Sequence, residues 1–112
     1  MVKIHFWKEE DGTVHLKVKG HAGTAPIGAD LVCASATMLV YTVAQAMTFM
    51  HEQGQLEEKP RIKIREGMAV VSAKPRPDYY AEVLHTFWVA QCAAHTLACN
   101  YPEAVSLNHL KV

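Results

Sequence analysis

The sequence predicts an α+β domain in which a small, mostly antiparallel sheet packs against two long helices. Two pairs of short stretches alternate apolar with polar residues, as half-buried strands do. Each pair is followed by a stretch of about twenty residues that is almost free of charge, which is typical of a buried helix. The order strand, strand, helix, strand, strand, helix predicts two layers. We expect one domain over residues 1–112, because this length is too short for two.

The first strand pair has the clearest pattern. Apolar residues alternate with polar or amphipathic ones over residues 2–7 and again over 14–19. Asp11-Gly12 between them is a frequent hairpin turn. Residues 20–30 contain three glycines and a proline, so we expect a loop there.

The first long helix is expected over residues 31–50, which contain no charged side chain. That length would also permit a membrane span. Scattered hydroxyl and amide residues, and the absence of flanking Lys or Arg, favour a buried helix. Asp30 is a favoured N-cap residue, which would place Cys33 in the first helical turn.

The second half of the chain repeats the pattern. A second hairpin is expected from residues 61–65 and 68–73. Residues 75–78 (Pro-Arg-Pro-Asp) predict a break that ends in an N-cap at Asp78, followed by a second helix from Tyr79 to about Cys99. Residues 105–112 form a tail that can add a short edge strand.

The two helices carry more apolar surface than four strands can cover, since Glu82 is the one full charge between them. We therefore expect self-association through helix faces, most simply a two-fold homodimer.

Charge and cysteine content exclude several classes of protein. Eleven Lys and Arg balance eleven Asp and Glu, which argues against a nucleic-acid-binding protein, because such proteins usually carry a basic excess; in particular we expect no direct DNA binding. Residues 1–10 hold four charges and no apolar run of the kind found in a signal sequence. The cysteine count is odd, at three. We expect a cytoplasmic protein with free thiols and no membrane association.

Cys33 is the first candidate for chemistry. In the first turn of a helix, its thiol would lie near unpaired backbone N–H groups and the positive end of the macrodipole, which stabilise a thiolate, although the Asp30 carboxylate opposes this. His21 follows the second strand, and the loop to Cys33 can bring its imidazole within reach of the thiol, as a cysteine nucleophile needs. A buried apolar cysteine and an exposed loop histidine are the alternatives at this point.

The sequence around these two residues resembles the signature of the ribosomal-processing cysteine proteases, the Prp family. The matching segments are residues 20–23 (Gly-His-Ala-Gly) and 28–34 (Gly-Ala-Asp-Leu-Val-Cys-Ala). Thr37 matches the family's hydroxyl residue four positions after the cysteine, and residues 101–105 (Tyr-Pro-Glu-Ala-Val) are similar to its closing motif. The resemblance covers essentially the whole chain.

The resemblance implies a cytoplasmic, homodimeric endopeptidase without a cofactor. It would remove the N-terminal extension of a large-subunit ribosomal protein by cutting after a phenylalanine. Cys33 would be the nucleophile and His21 the general base. We expect the backbone N–H groups of Cys33 and Ala34 to stabilise the oxyanion. Asp30 either orients His21 or only caps the helix, and Thr37 bonds either near the thiol or to the Cys33 carbonyl.

The segment between the two candidate residues matches the family's mobile loop beside the active site. The expected substrate-loop residues are Ala22, Gly23, Pro26 and Gly28.

Two other functions compete with proteolysis. A non-catalytic ribosome-assembly adaptor would bind the same extension without needing a thiolate. A thiol-redox role is weaker, because the chain has no C-x-x-C motif. Cys92, His95 and Cys99 share one helix face, but three ligands are too few for structural zinc, so we expect no metal and a core-facing stripe.

One polar surface remains to be explained, on the outer face of the first hairpin. Its residues are Lys3, His5, Trp7, His15 and Lys17. The surface is either a weakly basic patch that meets ribosomal RNA or the surroundings of a basic substrate, or a simply solvated face. We expect Trp7 to be covered by the tail or by a partner chain.

Overall fold

The computed structural model describes residues 1–20 and 27–110, and for residues 27–30 it describes the backbone only. The elements are β1 (Val2–Lys8), β2 (Val14–Lys19), α1 (Ile27–Glu52), β3 (Arg61–Arg65), β4 (Met68–Ala73), a 3-10 turn (Pro77–Tyr79), α2 (Tyr80–Asn100) and β5 (Val105–Asn108). This order confirms the predicted α+β architecture and the strand in the tail.

The five strands form one sheet in the order β3-β4-β2-β1-β5. All neighbours are antiparallel except β1 and β5, which run parallel. The register of the first hairpin pairs Ile4 with Val18 and Phe6 with Leu16, so the apolar residues of both strands share one face. Both helices pack on that face.

The core lies between this sheet face and one stripe of each helix. The α1 stripe runs through Val32, Ala36, Val40, Val43 and Met47, and the α2 stripe through Val83, Phe87, Ala90 and Ala94. By length and composition alone, the segment Leu31–Glu52 could also cross a membrane. Its buried stripe packs against the sheet and α2, and the core helix of a globular domain meets the same criterion, so it is weak evidence for a span.

The helices leave β3 uncovered. They pack mainly on the other four strands. Ile62 and Ile64 point to the helix side of the sheet, because they pair with Val71 and Ala69, but they remain 38% and 42% exposed. An edge strand with an open apolar side therefore lies next to α1.

Both helices begin differently from expectation. α1 starts at Ile27 and not after Asp30, so the expected loop over residues 20–30 ends earlier. Asp78 is not an N-cap, since it lies inside the 3-10 turn and no side chain caps α2. The Tyr80 N–H instead bonds to the Pro77 carbonyl, which satisfies the amide without a cap.

Candidate active site

Cys33 is the seventh residue of α1 and is half-buried against the core. It lines a cavity of about 420 Å³ between the helix and the sheet. The helix contributes Cys33, Ala36, Thr37, Val40 and Tyr41, and the sheet contributes Val2, Val18, Gly20 and the β3–β4 hairpin from Ile64 to Ala69.

The surface of this cavity is mainly apolar. Among its described lining residues, the charged ones are Arg65 and Glu66, at the turn of the β3–β4 hairpin. The cavity therefore offers an apolar side chain a site next to a thiol.

Gly20 fixes the end of β2 at the edge of this cavity. Its N–H donates to the carbonyl of Gly67 at 2.9 Å, which ties β2 to the opposite hairpin. Its φ is +103°, and an added Cβ would collide with the carbonyl oxygen of Met1, so only glycine fits. His21 is the next residue in the chain and lies outside the described residues, as do Ala22, Gly23 and Pro26.

The early start of α1 corrects four expectations about its N-terminus. Asp30 is the fourth helical residue and therefore not the N-cap. Cys33 lies about 9 Å along the axis from the first helical residue, beyond the turn where the macrodipole acts strongly. In a helix that begins at Ile27, the four N–H groups without an intrahelical partner are those of residues 27–30. The N–H groups of Cys33 and Ala34 come later in the helix, so the expectation that they are free to bind an oxyanion is wrong. Gly28 belongs to the helix and not to a loop.

Thr37 lies one turn beyond Cys33, and its hydroxyl has a backbone partner. Its Oγ1 donates to the Cys33 carbonyl oxygen at 2.8 Å. This confirms the second of the two roles considered for Thr37, and the hydroxyl proton does not point to the thiol.

The face of α2 that carries Cys92, His95 and Cys99 is exposed to solvent. The expectation of a core-facing stripe is therefore wrong, because the buried stripe passes through Phe87 and Ala94 instead. Cys99 Sγ lies 3.5 Å from His95 Nε2. Within the described ranges, no cluster of His, Cys, Asp or Glu has a geometry that could hold a metal ion.

Two imidazoles of the same hairpin pack against Trp7, and its cover by a partner chain stays a prediction. The His15 ring stacks on it at 4.5 Å between centroids, and the His5 ring lies at 4.6 Å. His15 Nδ1 lies 2.6 Å from the hydroxyl oxygen of Ser72. His15 Nε2 lies 3.2 Å from the Glu9 carboxylate, without the angle of a hydrogen bond.

The cavity wall formed by the β3–β4 hairpin was missed by sequence reasoning. Ile64 and Met68 line the cavity opposite α1. The alternating isoleucines of β3 indicated an inward face, but nothing in their local pattern indicated that this face lies beside Cys33.

The fold and the cavity together define a small α+β protein with a candidate thiol nucleophile beside an apolar cleft. That description fits a cysteine hydrolase, and the comparisons with known proteins agree with it. The chain belongs to the family described as cysteine protease Prp, whose model matches residues 1–106. It is accordingly a cysteine protease.

Solved structures share the fold. A ribosomal processing protease Prp from S. aureus, in complex with a covalently linked product peptide, is 22% identical with a TM-score of 0.70. The match covers 99% of this chain and 100% of that one. The same protease with a substrate peptide gives a TM-score of 0.69 at 21% identity, over 99% and 100% of the two chains. A protein from Streptococcus mutans is 20% identical with a TM-score of 0.68, over 99% and 96%. No curated protein matches the sequence.

Proposed function

We propose that this chain removes the N-terminal extension of a large-subunit ribosomal protein by cutting after a phenylalanine. Cys33 is the nucleophile and His21 the general base. The observation that carries the proposal is the half-buried thiol of Cys33 at the wall of an apolar cavity. Family membership, and the ribosomal processing activity named for the S. aureus relative, support the substrate class.

The choice of Cys33 over the other cysteines is supported by position. Cys92 and Cys99 are exposed on α2 and line no part of this cavity. Gly20 lines it, and His21 follows Gly20 in the chain.

The cut after phenylalanine is supported by the chemistry of the cavity. Ala36, Val40, Ile64 and Ala69 give it an apolar lining, and its volume of about 420 Å³ accommodates an aromatic ring. Burying a phenylalanine removes about 150–250 Å² of surface from water, so this side chain supplies much of the binding energy.

The mechanism proceeds through an acyl-enzyme. The Cys33 thiol transfers its proton to His21, and the thiolate sulfur attacks the scissile carbonyl carbon. When the tetrahedral intermediate collapses, the C–N bond breaks and His21 protonates the departing amine. His21 then takes a proton from a water molecule, whose oxygen attacks the thioester and releases the carboxylate product and the thiol. Asp30 lies inside α1 and is not its N-cap, and we propose that it orients His21, which is tested by Asp30→Asn.

The test is mass spectrometry of a synthetic peptide that spans a ribosomal protein's N-terminal extension and contains the phenylalanine. We expect cleavage after that residue by the unaltered chain and none by Cys33→Ser or His21→Ala. Cys92→Ser and Cys99→Ser are matched controls and should cleave normally. Asp30→Asn should slow cleavage at least about tenfold, and a rate within a few-fold would remove it from the mechanism. A peptide that binds but stays intact would favour the adaptor and overturn the protease proposal.

We also propose that the chain acts as a two-fold homodimer through the outer faces of α1 and α2. Large apolar side chains there are strongly exposed, namely Leu31, Met38, Tyr41, Phe49, Trp88 and Val89. Met38 and Val89 also line one apolar groove of about 500 Å³ between the helices. Static light scattering should give twice the 12.4 kDa chain mass. Val89→Glu should give the monomer mass. The control Ile62→Glu changes an exposed apolar residue outside the helices and should keep the dimer mass. A monomer mass for the unaltered chain would refute the proposal.

We propose a cytoplasmic location as well. The three cysteines are free thiols, which a reducing compartment maintains. Recovery of the tagged chain in the membrane or extracellular fraction of cells would contradict it.

A further inference from the structure

The outer face of the sheet concentrates positive charge in a chain whose net charge is zero. Paired residues on adjacent strands point to the same side of a sheet, so the register defines two rows of outer side chains. One row runs Lys3, Lys19, Met68, Arg65, and the next runs His5, Lys17, Val70, Lys63. We call the five cations Lys3, Lys17, Lys19, Lys63 and Arg65 the basic face.

No carboxylate lies in either row, and within residues 1–20 and 27–110 none of the five cations forms an ion pair. Four of them are exposed, and Lys17 is half-buried. The nearest carboxylates lie at the borders of the face: Glu66 follows Arg65 at the β3–β4 turn, and Glu9 lies 3.2 Å from His15 Nε2. The two rows themselves therefore carry only positive charge, although the net charge of the chain is zero.

The arrangement is unfavourable for the isolated fold. Lys3 and Lys19 are directly opposed on adjacent strands, and like charges in that position destabilise a sheet. Adjacent strands lie about 4.8 Å apart, and the two rows about 7 Å apart along the strands. A spaced series of negative charges laid across the sheet would relieve this repulsion, which is what a phosphodiester backbone provides.

We infer that the basic face binds RNA through its phosphates, as a second interaction surface on the side of the sheet opposite the Cys33 cavity. The rings of Trp7 and His15, which stack, and of His5, which is tilted against Trp7, continue the face, and the exposed His5 ring can stack with an unpaired base. Arg65 belongs to both the basic face and the cavity rim. The choice of RNA over other polyanions rests on the proposed function, because a ribosomal substrate brings RNA close to the enzyme.

The test is fluorescence anisotropy with a labelled single-stranded RNA of about 20 nucleotides. If about four phosphates are contacted, the slope of log K against log salt concentration is about −3. The double variant Lys17→Gln with Lys63→Gln should weaken binding at least about tenfold at low salt and make the slope shallower by about 1.4. The control double variant, Lys59→Gln with Lys74→Gln, removes as many charges outside the two rows and should leave both quantities unchanged.

Cleavage of the short peptide is measured on the same variants and should be unchanged, since Lys17 and Lys63 do not line the cavity. If the unaltered chain does not cleave the peptide, only the proposed function is contradicted. The salt dependence of RNA binding still tests the basic face in that case. No RNA binding at about 50 mM salt, or equal weakening by both double variants, would overturn the inference. Tighter binding to duplex DNA of the same length, or to phosphatidylserine vesicles, would also overturn it, because the surface would then serve another polyanion.

Discussion

Replacing Gly20 by alanine tests whether the end of β2 must hold its observed position. Gly20 has a φ of +103°, and a Cβ added there would collide with the carbonyl oxygen of Met1. That oxygen belongs to the backbone, so no side-chain rotation can make room. Because the Gly20 N–H also bonds to the Gly67 carbonyl, a shift would pass to the opposite wall of the Cys33 cavity.

Two costs add in this variant. A residue with a Cβ at a left-handed φ costs about 1–2 kcal/mol. Moving Met1 displaces the start of β1, where Val2 is 1% exposed and its N–H donates to the Ala104 carbonyl at 2.8 Å. Forced shifts of packed elements cost about 1–3 kcal/mol. We expect the free energy of unfolding to fall by about 2–5 kcal/mol, and the Tm by roughly 8–20 °C at about 4 °C per kcal/mol for this chain length.

Thermal unfolding followed by circular dichroism measures this loss, and Gly54→Ala is the matched control. Gly54 also has a positive φ, +75°, but nothing lies within 4 Å of its added Cβ. It should lose only the conformational cost, about 1–2 kcal/mol or roughly 4–8 °C. Equal losses in the two variants would refute the collision with Met1. At a temperature where both variants are folded, Gly20→Ala should also cleave the peptide more slowly than Gly54→Ala.

Three further substitutions have defined outcomes. Gln91 is buried and exchanges two hydrogen bonds with the backbone of Leu110, so Gln91→Glu should lower the unfolding free energy in urea by about 1–3 kcal/mol, and an unchanged midpoint would contradict this. Hydrogen bonds from the Thr13 backbone N–H, and then from the Thr13 side chain, lower the pKa of Asp11 in the folded protein. The ionised carboxylate therefore stabilises the fold at pH values above the ordinary pKa of an aspartate, and this stabilisation is lost as the pH falls through the lowered pKa. Asp11→Asn should therefore unfold at lower urea than the unaltered chain at pH 7 and at the same urea at about pH 2, and a gap that persists in acid would refute this. Thr37→Val should keep the peptide cleavage rate within about threefold, since the hydroxyl bonds a backbone carbonyl, and a hundredfold loss would show that it acts on the substrate.

Elements with a strong local pattern could be predicted from the sequence. The alternation in β1 and β2 determines which residues face inward, and the observed pairing of Phe6 with Leu16 follows from it. The two helices were predicted in place because their residues have almost no charge. The first residue of each helix could not be predicted in the same way. Aspartate is a frequent N-cap residue, but it also occurs inside helical turns, as Asp30 and Asp78 do here.

The candidate site divides in the same way. The residues contributed by one segment, Cys33 and Thr37, could be recognised from a contiguous motif. The opposite wall of the cavity depends on strand order, which places the β3–β4 hairpin next to β2 although the first helix separates them in the sequence. Nothing local to Ile64 or Met68 carries that information, so only the assembled sheet reveals these residues.

The cavity itself follows from the number of elements in each layer. Two helices side by side, each about 10 Å wide, cover about four strands at 4.8 Å spacing, and this sheet has five. The strand left over is β3, which stands at one edge with Ile62 and Ile64 turned to the helix side but open to solvent. The wall of α1 that faces this uncovered strand carries Cys33. A third helix would cover the two isoleucines and stabilise the sheet, but it would also close the open side of the Cys33 cavity. The proposed cleavage after phenylalanine requires that side to stay open, because the phenylalanine side chain enters there.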